Sequence, residues 1–349
     1  MAKKFHSPFS NNIGIDLGTA NTLVYMRGKG IVINEPSVVA INQKPGQVVA
    51  VGKEARAMLG RTPGHIKAVR PLVDGVISDF EVTEEMLSYL IRNAESTSKK
   101  WFGPKVVVGV PSGTTNVERR AVRDASKSAG ARDVYIVEEP MAAAIGINLP
   151  IMEPVGSMII DIGGGTTDIA VISLGGIVCS KNLKIAGDKL NNDIIAYMRS
   201  EFKILIGEKT AEYIKVTIGG LTPSEMAQLN IRGRDLVTGL PREVSVTDED
   251  VQNALSSSID SLLEGVKEVL ETTPPEILAD VMNRGIHLVG GGALIKGFRE
   301  LLNEYIGIPV FIGENPLEAV VRGCGMILEN IEAYKDVLVE NEDDLPFKK

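Results

Sequence analysis

The sequence predicts an α/β protein of two related halves, each built on a strand–turn–strand core with an aspartate beside a glycine-rich turn. Three observations predict it. Segment 13–22 (IGIDLGTANT) recurs as segment 158–167 (MIIDIGGGTT), aligning Asp16 with Asp161, Gly18 with Gly163 and Thr22 with Thr167 at a constant offset of 145 residues. Short apolar runs alternate with helix-patterned segments, as in α/β proteins. The length, 349 residues, fits two domains of roughly 100–200 residues each.

Each repeat reads as a buried strand, a tight turn of small residues and a second strand, that is, a β-hairpin. Such a turn points several backbone N–H groups into one small volume, where a phosphate can collect them. The aspartate closing each first strand would be repelled by a polyphosphate unless a cation lay between them. Mg²⁺ held through its waters is the natural bridge. One hairpin alone could carry its aspartate and glycines as ordinary turn residues. Two in register make that reading weaker.

Between the repeats, the pattern gives a helix over 83–98, a buried strand over 104–111 and a helix over 116–129 closed by Gly130. Residues 133–138 read as a strand ending in Glu138 and Glu139, with Pro140 in the first turn of the next helix. Acids at a strand-to-helix junction suit catalysis, and they equally suit the positive end of a helix. Residues alone leave both readings open. Later, 247–272 reads as an amphipathic helix with a capping-box start at Thr247 and Asp250 and a stop at Pro274-Pro275. Segment 285–297 reads as strand, Gly290-Gly291-Gly292 turn, then helix.

Composition excludes several classes. The net charge of −8 argues against a basic nucleic-acid surface, and no nucleic-acid partner is expected. Two cysteines and three scattered histidines offer neither a disulfide framework nor a zinc site. No run approaches the roughly 18 apolar residues of a membrane span, and the N-terminus lacks an apolar stretch of signal-peptide length, so a cytoplasmic protein is expected. Two places are oily and basic together: Lys3, Lys4, Phe5 and Phe9, and Lys99-Lys100-Trp101-Phe102 in a loop. The second suits a membrane interface, although for a loop taken at random Trp101 and Phe102 would fold into the core.

The duplicated hairpin resembles the superfamily of actin, DnaK-type chaperones and sugar kinases. Further motifs resemble the MreB family of bacterial actins: segments 16–22, 34–37 (NEPS), 60–63 (GRTP), Arg70-Pro71, 74–76 (DGV), 117–120 (VERR), 139–145 (EPMAAAI), 161–167 and 288–293 (LVGGGA). Together they cover about 12–330. The resemblance implies a duplicated actin-like (ribonuclease H-like) two-lobed ATPase fold with four subdomains and ATP in the central cleft. The expected division is an N-terminal membrane-proximal segment, 1–12; subdomain IA, 13–32 and 73–147, with a C-terminal return at 313–337; IB, 33–72; IIA, 148–183 and 242–312; IIB, 184–241; and an acidic tail, 338–349.

By the same resemblance, Asp16 and Asp161 are the Mg²⁺-associated acids. Gly18, Thr19, Ala20 and Asn21 form the first phosphate loop, and Gly163, Gly164, Gly165 and Thr166 the second. Glu139, assisted by Thr166, orients the attacking water, which suits phosphoryl transfer, where positioning outweighs a strong base. Gly187 and Asp188 lie near the ribose, Glu212 and Lys215 at the adenosine, and Gly290, Gly291 and Gly292 beneath the adenine and α-phosphate. Asp168, where many relatives have Glu, and Tyr213, where Arg is frequent, depart from the pattern and place detail at the rim in doubt. The resemblance also makes Trp101 and Phe102, with Lys99, Lys100 and Phe5, a membrane contact. It implies ATP/ADP and Mg²⁺ as cofactors, slow hydrolysis, self-assembly into antiparallel double protofilaments on the inner face of the cytoplasmic membrane, and membrane-anchored elongation and cell-wall synthesis proteins as partners in setting rod shape. The alternative is a small-molecule kinase of the same superfamily.

Overall fold

A computed structural model of the chain describes residues 12–44, 46–94, 103–222 and 227–339. They separate into two compact units: one holds the described residues up to Leu149 and again from Glu318, the other Pro150–Leu317.

The first unit opens with hairpin β1 (Ile13–Leu17) and β2 (Asn21–Met26), then β3 (Gly30–Pro36). A small layer follows from β4 (Val39–Asn42), β5 (Gln47–Val51), the short helix α1 (Lys53–Met58) and β6 (Ile66–Val69). The ribbon of β7 (Leu72–Val73) and β8 (Val76–Ile77) leads to α2 (Phe80–Ala94), β9 (Lys105–Val110), α3 (Asn116–Ser128), β10 (Asp133–Glu138) and α4 (Glu139–Gly146). The main sheet runs β10-β9-β1-β2-β3. β9 is parallel to β1 and β10, while β2 is antiparallel to β1 and β3. Val106, Val107, Val108 and Val110 are all buried, as a central parallel strand covered on both faces requires.

The second unit repeats that plan. It contains β11 (Ser157–Ile162), β12 (Thr167–Ser173), β13 (Gly176–Leu183), α5 (Gly187–Ser200), β14 (Ile204–Leu205), α6 (Glu208–Ile218), β15 (Gln228–Asp235) and β16 (Pro241–Thr247). It continues through α7 (Asp248–Thr272), α8 (Pro275–Arg284), β17 (Ile286–Val289), α9 (Phe298–Ile306) and β18 (Val310–Ile312). Its main sheet runs β13-β12-β11-β17-β18, with β11–β12 and β12–β13 antiparallel and β17 parallel to its neighbours. Reading β3-β2-β1-β9-β10 against this order gives the same sequence of senses, so the repeat seen in residues is a repeat of topology. The chain then returns to the first unit as α10 (Ala319–Glu329).

Caps and stripes form the helices as their residues dictate. Thr115 with Glu118 and Thr247 with Asp250 both make capping boxes, each satisfying two otherwise orphaned N–H groups. Val251, Leu255, Ile259, Leu262, Val266 and Val269 are buried along one face of α7.

Four boundaries differ from expectation. α2 begins at Phe80, because the Asp79 carboxylate accepts the Val82 N–H at 3.1 Å and starts the helix early. The triple-glycine turn opens only a 3-10 turn, Gly291–Leu294, and the α-helix waits until Phe298. The return to the first unit begins at Glu318 rather than 313, since β18 still pairs with β17 and Gly290 N–H donates to Pro316 O at 2.9 Å. The sheet β14-β15-β16 continues to Thr247, past residue 241.

α10 and α4 approach to backbone contact at two glycines. A Cβ on Gly323 would stand 1.7 Å from Ala142 O, and one on Gly146 1.9 Å from Ala319 O. Gly323→Ala must therefore push the helices apart, at a cost of about 1–3 kcal/mol or more, and lower Tm by several degrees. Gly64→Ala, which has open space and an ordinary φ, should leave Tm unchanged. Equal melting curves for the two variants would contradict this packing.

Candidate functional site

In the first unit, pairing sets the site. Asp16 lies opposite Gly109 in β9, and Gly109 lies opposite Val137 in β10, so Glu139 follows two residues beyond at the start of α4. Gly109 makes room for it: a Cβ there would sit 3.5 Å from Glu139 Cγ and 3.0 Å from Val320 Cγ1. Behind them, the buried Cys324 thiol donates to Ile15 O at 3.7 Å. Burial raises this thiol well above its usual range, and the charges of Asp16 and Glu139 add to the rise, which puts both acids within electrostatic reach of one point. Burial also pushes Asp16 up to about 7. Glu138 is engaged by Arg119 at 3.3 Å. The neighbouring acids thus divide, Glu138 to an ion pair and Glu139 to the gap that Gly109 leaves.

The first turn is braced from outside. Ser37 Oγ donates to Gly18 O at 2.6 Å and lies 2.9 Å from Thr22 Oγ1. Gly75 N–H donates to Thr19 Oγ1 at 3.0 Å. Gly18 cannot carry a side chain, because a Cβ would meet Asn21 O at 2.7 Å. Gly18, Thr19 and Ala20 form the turn, whereas Asn21 already belongs to β2, opposite Pro36.

In the second unit, several loops meet around the second turn. The turn closes with Gly163 N–H donating to Thr166 O at 2.9 Å. The start of α5 docks onto it, Gly187 N–H donating to Gly163 O at 3.1 Å and Asp188 N–H to Gly164 O at 2.8 Å. From α6, Lys215 Nζ donates to Gly187 O at 2.9 Å. Burial lowers the Lys215 ammonium, while Glu212, Asp188 and Glu208 pull it back. Gly290 closes the other side: a Cβ there would come 2.4 Å from Asp161 Oδ1. Gly292 is as tight against Ile162 Cγ2, at 2.1 Å, while Gly291 is exposed beside them. Asp161, Thr166, Gly163, Gly164, Gly187, Asp188, Lys215 and Gly290 thus gather around one turn.

Asp161 and Asp168 face each other across the β11–β12 register, and both are buried. Asp168 is therefore not a rim residue, contrary to the sequence reading; its Oδ2 accepts from Asn182 Nδ2 at 3.0 Å. Tyr213 does lie outside, 55% exposed. Two carboxylates directly opposite destabilise a sheet, and a cation beside them relieves that repulsion. Among the described residues no three His, Cys, Asp or Glu side chains form a metal-holding group. The side-chain-free tips at Gly18 and Gly163–Gly165 fit a phosphate chain approaching backbone N–H groups.

Sequence reasoning missed Gly109, Ser37 and Cys324 as positioning residues. A glycine inside an apolar strand signals a close approach, which marks Gly109 in the run 105–110. Ser37 closes the 34–37 motif but its role was not read, and Cys324 gave no signal, because their partners are distant in the chain. Lys99, Lys100, Trp101, Phe102 and Phe5 lie outside the described residues. Both cysteines are free, and no helix among the described residues is long and apolar enough to cross a membrane.

A sheet duplicated in order and sense, each copy ending its first strand in an aspartate beside a glycine turn, defines the actin-like class of α/β proteins. Within it, residues 10–336 match the family model described as MreB/Mbl protein, and the chain belongs to that family. It is 50% identical over 347 residues to the cell shape-determining protein MreB of Escherichia coli K12, covering 98% of this chain and 100% of that one. Over 326 residues it is 50% identical to the cell shape-determining protein Mbl of Bacillus cereus, covering 93% and 97%. Among solved structures it is similar to MreB5 of Spiroplasma citri bound to ADP, with a TM-score of 0.88, 40% identity and coverage of 94% of this chain and 98% of that one. The same protein bound to AMPPNP gives 0.87, 41%, 94% and 98%.

The raised Asp16 makes a prediction for the nucleotide- and Mg²⁺-free protein. Its folded value, about 7, exceeds the ordinary 3.8, so folding holds the proton more tightly. Stability is full at low pH and falls as pH rises from about 4 to 7. Asp16→Asn should match the parent at pH 4 and exceed it at pH 8 by roughly 1–4 kcal/mol, at 1.36 kcal/mol per unit. Urea unfolding at both pH values checks this, and a gap independent of pH would refute it.

Proposed function

We propose that this chain binds ATP with Mg²⁺, hydrolyses it slowly, and uses the nucleotide state to control assembly into filaments that lie on the inner face of the cytoplasmic membrane and organise cell-wall synthesis. The observation that carries the reading is the convergence of Gly163–Thr166, Gly187–Asp188, Lys215 and Gly290 around Asp161, with the same hairpin repeated at Asp16 beside Glu139. The nucleotide-bound MreB5 structures of Spiroplasma citri, at 40% and 41% identity, support ADP and ATP as ligands. The names of the MreB and Mbl relatives support a role in cell shape.

In this reading the two glycine turns receive the phosphates through backbone N–H groups. Glu212 and Lys215 contact the adenosine, Gly187 and Asp188 the ribose, and Gly290–Gly292 the base and α-phosphate. Mg²⁺, when bound near Asp16 and Asp161, supplies charge neutralisation for the β- and γ-phosphates. Glu139, with Thr166, orients the attacking water. A carboxylate suffices, because the metaphosphate-like transition state asks for alignment more than for a strong base. Trp101, Phe102, Lys99, Lys100 and Phe5 form the membrane contact. The area such a pair buries, at about 25 cal/mol per Å², gives weak binding per molecule, and a filament multiplies it. Subdomains divide as IA, IB, IIA and IIB, and protofilaments pair antiparallel.

Glu139→Ala should keep ATP binding within a few-fold and slow phosphate release roughly 100-fold; release at the parental rate would remove Glu139 from the mechanism. Trp101→Ser with Phe102→Ser should abolish co-sedimentation with anionic liposomes while Tm stays unchanged. Undiminished co-sedimentation would place the membrane contact elsewhere. The reading as a whole is tested by pelleting with Mg²⁺-ATP, Mg²⁺-ADP and no nucleotide, where ATP-dependent pelleting is expected.

A further inference from the structure

Two acids follow one another at the end of β10, and the sheet sends them to opposite faces. Asp16, Gly109 and Val137 stand abreast in register across β1, β9 and β10. Successive strand residues face opposite ways, so Glu138, abreast of Val110, turns to the other face. On that face Val110 belongs to one buried cluster with Val122 and Ala125 of α3. There Arg119 Nη2 of α3 donates to Glu138 Oε1 at 3.3 Å. Glu139 begins α4 and returns to the first face. The Cβ that Gly109 lacks would lie 3.5 Å from Glu139 Cγ, with Val320 Cγ1 at 3.0 Å and Cys324 Sγ at 3.8 Å.

Stability does not explain the Arg119–Glu138 pair. The two side chains are 22% and 24% exposed, and an ion pair this open to water contributes little. Arg119 Nε is buried with no hydrogen-bond partner, which costs free energy rather than supplying it. Glu138 stands immediately before the first turn of α4, where a side-chain oxygen commonly caps the helix, yet it makes no such bond. Arg119 itself stands on a fixed base. Thr115 and Glu118 cap α3 in both directions, and Arg119 N–H donates to Thr115 O at 2.9 Å. Thr114 Oγ1 donates to Pro111 O at 2.5 Å, one residue past the end of β9 at Val110. The guanidinium is thus tied to the same strand end that carries Gly109.

We propose that Arg119 is a positioning residue for ATP hydrolysis. By holding Glu138 on the α3 face it fixes the peptide from which Glu139 departs, and so sets the place of the Glu139 carboxylate in the gap that Gly109 leaves. Where water must be aligned, a shift of about 1 Å in the group that aligns it is enough to slow the reaction strongly. This inference rests on the reading of Glu139 as the residue that orients the attacking water.

The test compares the full chain with Arg119→Met, Glu138→Gln, their combination and Arg119→Lys. In phosphate release from Mg²⁺-ATP, Arg119→Met and Glu138→Gln should each lower kcat roughly tenfold or more. KM should stay within about twofold, the mark of a contact that serves the reacting geometry rather than ATP binding. The combination should be no slower than either alone, since both remove one interaction. Arg119→Lys, which keeps the charge without the planar guanidinium, should recover part of the loss. Pelleting with Mg²⁺-AMPPNP should match the parent in every variant. A crystal structure of nucleotide-free Arg119→Met should show β10 in register and the Glu139 side chain displaced from Gly109. Parental kcat in either single variant, losses that multiply in the combination, no recovery by lysine, altered AMPPNP pelleting or an undisplaced Glu139 overturns the inference and leaves the hydrolysis reading standing. If Arg119→Met fails to fold, Glu138→Gln carries the same measurements. A parent that releases no phosphate, or a Glu139→Ala chain that releases it at the parental rate, removes the hydrolysis reading and this inference with it.

Discussion

The close approach of backbone to carboxylate at the ends of β1 and β11 is the constraint on which the rest depends. Asp161 Oδ1 occupies space that any side chain at residue 290 would fill. Gly109 leaves the corresponding room beside Glu139. Asp161 could not be held this deep if residue 290 carried a side chain. An acid so placed resists ionisation, as Asp16 shows, unless compensating charge arrives. The space around Asp161 is thus set by what the surrounding residues leave out.

Duplication distributes this arrangement unequally. The two sheets share order and sense, yet the two hairpins are finished differently. The first turn is braced by hydroxyls, through Ser37 and Thr19. The second is braced by main chain, through the start of α5, and by the ammonium of Lys215. In place of Leu23 opposite Asp16, the second hairpin has Asp168 opposite Asp161. One copy carries Glu139 at the head of a helix, while the other carries the helix, lysine and glycine turn that suit a nucleoside.

Much of this was legible in the residues. The offset between Asp16 and Asp161, the buried run at 105–110, and the capping boxes at Thr115 and Thr247 are local patterns, and local patterns set local structure. The start of α2 was not legible because Asp79, a cap without a glutamate three residues on, outweighed the periodicity. The 3-10 turn after Gly290 escaped because a glycine run states freedom, not direction. Asp168 was misplaced to the rim because burial there comes from Asn182 and the opposite strand, which lie outside any short window. The roles of Ser37 and Cys324 were invisible for the same reason: their bonds to Gly18 and Ile15 are made by the fold.

The route of the chain bears on how it emerges from a ribosome. The second unit is one uninterrupted stretch, Pro150–Leu317, whereas the first is completed only by residues from Glu318 onward. Gly14, in the first strand, touches the backbone of Cys324 and Gly325 in the last helix, so strands synthesised at the outset wait for nearly the whole chain. The later-made unit can close first, and the nascent first sheet stays uncovered until then, a span in which exposed strands are open to association. The unit that is begun first is thus the last to be supplied with all its residues.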